Sequence, residues 1–178
     1  MHHDESGVIG RRAIDSEGSD REGDPFDLRR RFCVPYKEDF VTALSEINAG
    51  RKRSCWSWYI FPTAPWVVDG RERGSSTNRQ YALRDKVDPL RGDDAARAFL
   101  RFEAEGVNLR SSYITMIMAV AKQLESGISC LQLVGSLDDP KLRSCLRLFE
   151  RVSRGGFDDE VNTVCKRALA AMSEQLDA

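Results

Sequence analysis

Three cations lead directly into four aromatics in Gly50-Arg51-Lys52-Arg53-Ser54-Cys55-Trp56-Ser57-Trp58-Tyr59-Ile60-Phe61-Pro62, the densest chemistry in the chain. Arginine offers a planar fork that binds phosphate bidentately, and lysine offers a compact point charge. Trp56 or Trp58 could stack a base. Ser75, Ser76 and Asn78 stand near a predicted helix start, where hydroxyls and backbone N–H groups suit an anion, and Arg79 and Tyr81 follow at once. Arg51, Lys52, Arg53, Trp56, Trp58, Ser75, Ser76, Arg79 and Tyr81 therefore form the candidate ligand-binding set: an anion site with an aromatic wall. A plainer account stands beside it. Cations just past a helix C-terminus answer the helix dipole, and large aromatics anchor cores.

Other reactive groups are sparse. Cys55 sits beside Lys52 and Arg53, which would favour a thiolate, but no base partner is evident. Lys141, Arg143 and Ser144 follow a helix start and could wall a cleft. Alternatively, Asp138 and Asp139 cap that helix and offset the cations, and this second account is the expected one. Glu38, Asp39 and Glu46 are candidate acids without a clear carboxylate pair. Both histidines, His2 and His3, precede the expected domain, which excludes a His-dependent dyad, triad or zinc site from the core. The five cysteines show no metal spacing and read as reduced thiols of a cytoplasmic protein, mostly packed as small apolar side chains. No metal and no cofactor are expected.

Helices must position these groups. Asp24 and Pro25 suit a helix start, and Pro35 is expected to interrupt. Tyr36, Phe40, Leu44 and Ile47 then share one stripe of a helix ending at Gly50. Residues 56–60 read equally as a short strand or a helical turn. Residues 63–78 read as a long loop in which Trp66, Val67 and Val68 fold back onto the domain. Thr77 or Asn78 caps a short helix through Tyr81. Asp93 caps another, ended by Gly106. Asn108, Asp139 with Pro140, and Asp158 or Asp159 start three more, with a short apolar piece at residues 128–134. The fold class predicted is all-α: a multi-helix domain over residues 24–178 with one irregular region near residues 54–76.

Residues 1–23 are polar, carry no apolar period, and predict a disordered tail. No stretch reaches the roughly 20 apolar residues of a membrane helix. A formal net charge of −1 gives no global field for nucleic acid or acidic lipid.

The residues that carry a family likeness are Asp24-Pro25-Phe26-Asp27-Leu28-Arg29-Arg30-Arg31-Phe32, Ala43 to Pro62, Gly74-Ser75-Ser76 with Tyr81-Ala82-Leu83, and Gly135 to Ser144 with Leu148-Phe149. In these the chain resembles domain-of-unknown-function family 1810, an uncharacterised group of small, mainly helical proteins. The likeness spans roughly Asp24 to Phe157. Cys55 stands where the family has histidine, Ser57 where it has methionine, and Thr63 where it has glutamine. Any family activity needing that imidazole or amide is altered here. Some members carry a calpastatin label, but calpastatin inhibition belongs to disordered repeats and this chain reads as folded. In arrangement it is also similar to NADAR-type proteins, small helical proteins linked to ADP-ribose and N-glycosidic chemistry; no catalytic acids align across that analogy.

Three functions fit. The first is binding, or turnover, of a phosphorylated or nucleotide-like small molecule beside the aromatic stretch. The second is a non-enzymatic protein–protein interaction domain, marked by an exposed apolar patch around Trp66 and Val67. The third is single-stranded nucleic-acid binding, which the near-neutral charge opposes.

Overall fold

The computed structural model describes residues 23–176; the expected tail lies outside these, except for Gly23. The architecture is all-α. The helices are α1 (Val34–Asn48), α2 (Ser57–Ile60), α3 (Ser76–Tyr81), α4 (Asp93–Phe99), α5 (Leu109–Glu125), α6 (Cys130–Val134), α7 (Asp139–Val152) and α8 (Asp159–Glu174). Two antiparallel pairs interrupt them, β1 (Val67–Val68) with β2 (Arg71–Glu72) and β3 (Glu103–Ala104) with β4 (Val107–Asn108).

Helix α5 is the centre of the packing. Tyr113, Ile117, Val120, Ala121 and Leu124 recur at helical spacing and are buried between α1 and α8, while Met118 faces outward. Leu142, Cys145, Leu146, Phe149 and Val152 line the inner face of α7, which packs on α8 and α4. A run of edge-to-face rings, Phe32, Phe99, Phe149 and Tyr113, joins the two halves of the core. The buried apolar residues form one cluster from Leu28 to Met172.

The N-terminal segment departs from expectation. Asp24 does cap, accepting from the N–H groups of Leu28 and Arg29 at 2.8 Å each. The helix begins beyond Pro25, however, after Asp27 turns through a left-handed conformation (φ 54°). Pro35 does not interrupt either. Arg29–Cys33 form a widened turn that runs straight into α1, with Val34 N–H donating to Arg29 rather than one residue closer. A proline in the next position lacks an N–H at the first turn, where little is lost.

The turns explain the other differences. Asp69-Gly70 (φ 51° and 71°) and Glu105-Gly106 (φ 56° and 72°) both adopt the mirror-image turn that a two-residue hairpin requires. Gly106 thus belongs to a hairpin and does not end a helix. Ser75, not Thr77 or Asn78, caps α3, accepting from Asn78 N–H at 3.2 Å. Residues 57–60 resolve as a helical turn. Asn108 and Asp158 cap α5 and α8 as predicted. Trp66, Val67 and Val68 do not fold back; all three are exposed on the first hairpin.

Candidate functional site

The site begins where α1 ends. Gly50 takes a left-handed φ of 83°, its N–H donates to Ile47, and Arg51 N–H donates to Glu46. This paired closure reverses the chain and aims residues 51–56 back along the helix. A Cβ on Gly50 would also meet Ile128 Cδ1 at 2.8 Å.

Glu46, one turn before that end, fixes the reversed segment. Its carboxylate accepts from Arg53 N–H (2.8 Å), Ser54 N–H (3.0 Å), the Trp56 indole (2.9 Å) and the Ser54 hydroxyl. Burial pushes this carboxyl up, but the four donors outweigh it and hold it at about 2. Glu46 is therefore a clamp and not a general base.

The clamp leaves residues 53–55 at the surface and brings Trp56 inside. Arg51 and Arg53 are exposed, as is Cys55, whereas Lys52 points inward. Its backbone N–H donates to Leu133 at 2.7 Å, tying the segment to α6. Its ammonium lies 2.9 Å from Asp138 Oδ2 and 5.1 Å from the centre of the Trp56 ring. The Lys52 and Asp138 side chains keep only 11% and 15% of their exposure. Asp138 Oδ1 accepts from the buried Ser57 hydroxyl at 2.8 Å.

Asp138 stands at the N-cap of α7, yet its carboxylate makes no capping bond. It is turned instead to Lys52 and Ser57. This corrects the expectation that Asp138 and Asp139 both act locally. Only Asp139 does, pairing Arg143 at 2.5 Å. From the first turn of α7, Lys141 donates to Asn78 Oδ1 on α3 at 2.8 Å. Burial lowers the Lys141 ammonium below the usual lysine range; Asp138 opposes this and Lys52 adds to it.

Lys52, Ser57, Asn78, Asp138 and Lys141 thus converge from four separate segments into one half-buried polar seam. It holds two ammonium groups and one carboxylate, and the second ammonium is partnered by a neutral amide. A partly desolvated excess cation of this kind attracts an anion. A shallow open hollow of about 600 Å³ is lined by Lys52 together with Gly50, Arg51, Ile128, Leu131, Gln132, Val134 and Gly135.

The other candidates fall around this seam. Trp56 is fully buried against Phe61 and offers no free face, whereas Trp58 is half-buried against the core. Ser75 serves as the α3 cap; Ser76 and Arg79 are exposed. Tyr81 is half-buried, its ring 5.4 Å from Tyr59 and 6.3 Å from Phe32. Tyr59 donates to Asp39, and burial, followed by that bond, raises its phenol well above the ordinary range.

The remaining likeness-bearing residues hold α3 in place. Arg31 donates to the carbonyls of Phe26 (3.1 Å), Gln80 (3.0 Å) and Ala82 (2.6 Å), and it stacks over Phe32 at 5.2 Å. The Asp24–Phe32 segment thereby closes the C-terminal end of the helix that carries Asn78. Of the residues that complete the seam, Ser57 had no signal of its own. Asp138 and Lys141 did have one, because they lie in the second segment that carries the family likeness.

The fold has a solved counterpart. The crystal structure of the conserved hypothetical protein Rv1873 from Mycobacterium tuberculosis is similar over 86% of this chain and 96% of its own, with a TM-score of 0.63 at 22% sequence identity. That likeness concerns the fold alone. No curated protein matches the chain. The profile described as "Protein of unknown function (DUF1810)" matches residues 25–175, a span that takes in every residue of the seam, and the chain belongs to that family.

Proposed function

We propose that the protein binds a small phosphorylated or nucleotide-like molecule, with its anionic group seated at the seam of Lys52, Asn78 and Lys141. One observation carries this reading: Lys141 holds a half-buried ammonium against a neutral amide, beside a carboxylate already engaged by Lys52. Water-poor surroundings make that excess charge costly when empty and strongly attractive to phosphate. Asn78 Oδ1 faces Lys141, so its amide N–H₂ is left as a further donor. Buried Trp56 cannot stack a base, which moves any aromatic wall to half-buried Trp58 or Tyr81. No carboxylate here is placed as a general base: Glu46 is locked by four donors, and Asp138 is shared between Lys52 and Ser57. The reading is therefore binding, with no reaction assigned, in a cytoplasmic setting where the thiols stay reduced.

The test is a thermal-shift titration with inorganic phosphate, ADP, ADP-ribose and a sugar phosphate on the wild type, Lys141→Gln and Arg51→Ala. A stabilisation lost in Lys141→Gln and kept in Arg51→Ala supports the seam. Lack of any shift with all four compounds, or a shift lost only in Arg51→Ala, refutes it.

A further inference from the structure

We infer that the β1–β2 hairpin is a docking surface for an acidic polypeptide segment bearing apolar side chains, independent of the anion seam. Val67 pairs with Glu72 and Val68 with Arg71, and Arg73 N–H donates to Trp66 at 2.7 Å. Residues directly opposite share a face and successive residues alternate. One face therefore carries Val67 and Glu72, and the other carries Trp66, Val68, Arg71 and Arg73.

The first face is anchored. Glu72 accepts from Arg84, which also donates to the carbonyls of Arg79 (3.0 Å) and Pro89 (3.1 Å). The hairpin is thus bolted to the end of α3 and to the loop at residues 84–91. The second face is left open. Trp66 is 62% exposed and Val68 38%. Arg71 and Arg73 are exposed and have no carboxylate within ion-pair distance among the described residues.

Charge names the partner. Residues 66–91 contain six lysines and arginines against four acidic residues, although the whole chain is at −1. Rigid tryptophan beside arginine is the composition of an interface hot spot. Exposed Val68 gains from burial against apolar side chains and gains nothing from a nucleotide backbone, which favours a polypeptide over nucleic acid. The face carries two arginines and no acidic residue, so a second copy of the same face would repel it.

The experiment is fluorescence anisotropy with the full chain and a short labelled peptide alternating glutamate with leucine and tryptophan. Its lysine counterpart and a single-stranded oligothymidylate serve as controls. Binding of the acidic peptide alone is expected. It should weaken about tenfold in Trp66→Ala, disappear in the double variant Arg71→Glu/Arg73→Glu, and persist in Lys141→Gln. Both hairpin variants should keep the wild-type melting temperature, because the altered side chains are exposed. The proposal is overturned if the acidic peptide fails to bind, if both hairpin variants bind it unchanged, or if the oligonucleotide binds through these arginines in its place.

Discussion

Glu46→Gln should unfasten the Arg51–Trp56 segment, and its size and pH dependence follow from the geometry. The carboxylate accepts four hydrogen bonds, three of them from groups fixed by the backbone or by a buried indole. A carboxamide retains one acceptor oxygen and turns an N–H₂ toward those donors. The wild-type carboxyl is held at about 2, from an ordinary value of 4.5. At about 1.4 kcal/mol per pH unit this bounds the contribution at about 3 kcal/mol. Partial solvent contact reduces it to about 1–2 kcal/mol. The folded-state pKa lies below the unfolded one, so the contribution is complete above about pH 4.5 and disappears as pH falls toward 2. Urea unfolding at pH 7 should therefore show Glu46→Gln less stable by about 1–2 kcal/mol, with melting lowered by about 2–8 °C. Near pH 2 the two proteins should converge. A difference below about 0.5 kcal/mol at pH 7 would show that the clamp is not needed. A difference that persists undiminished at pH 2 would show that the charge is irrelevant.

Other perturbations test other parts of the account. Gly92→Ala places a Cβ 2.4 Å from the Leu83 carbonyl and 3.0 Å from Ala64 Cβ, so it should destabilise by about 2–3 kcal/mol in chemical denaturation. Gly50→Ala forces an alanine into a left-handed conformation against Ile128, which should cost about 1–2 kcal/mol in the same assay. Asp138→Asn leaves Lys52 and Lys141 without a carboxylate. It should lose about 2–3 kcal/mol, part of which phosphate restores more effectively than it stabilises the wild type, as a thermal-shift titration would show. Under native conditions a thiol reagent should label Cys55 quickly and leave buried Cys33, Cys130, Cys145 and Cys165 unreacted until denaturant is added.

Much of the fold was legible because its signals are local. The α1 stripe, the Gly50 turn and the Asn108 and Asp158 caps each depend on residues within one or two turns. Pro35 misled because its cost depends on the turn before it, and a widened turn has already surrendered the bond that proline cannot make. Asp69-Gly70 was a hairpin signal, but two-residue strands are too short to show alternation. The candidate site was legible in outline and not in its centre. The concentration of cations and aromatics marked the right segment. Which cation turns inward depends on Glu46, ten residues before Trp56, and on Asp138, eighty-one residues after Ser57. Asp138 looked like a helix cap because its sequence neighbours make it one. Only the approach of Lys52 and Ser57 diverts its carboxylate.

The central claim is that the excess ammonium charge at the α3–α7 seam binds an oxyanion. The most direct measurement is diffraction from crystals of the full chain soaked with arsenate, located by its anomalous scattering. The account predicts a peak within hydrogen-bonding distance of Lys141 Nζ and the Asn78 amide, absent in Lys141→Gln. An arsenate ion bound instead at Arg51 or Arg53, with the seam empty in the wild type, would contradict it.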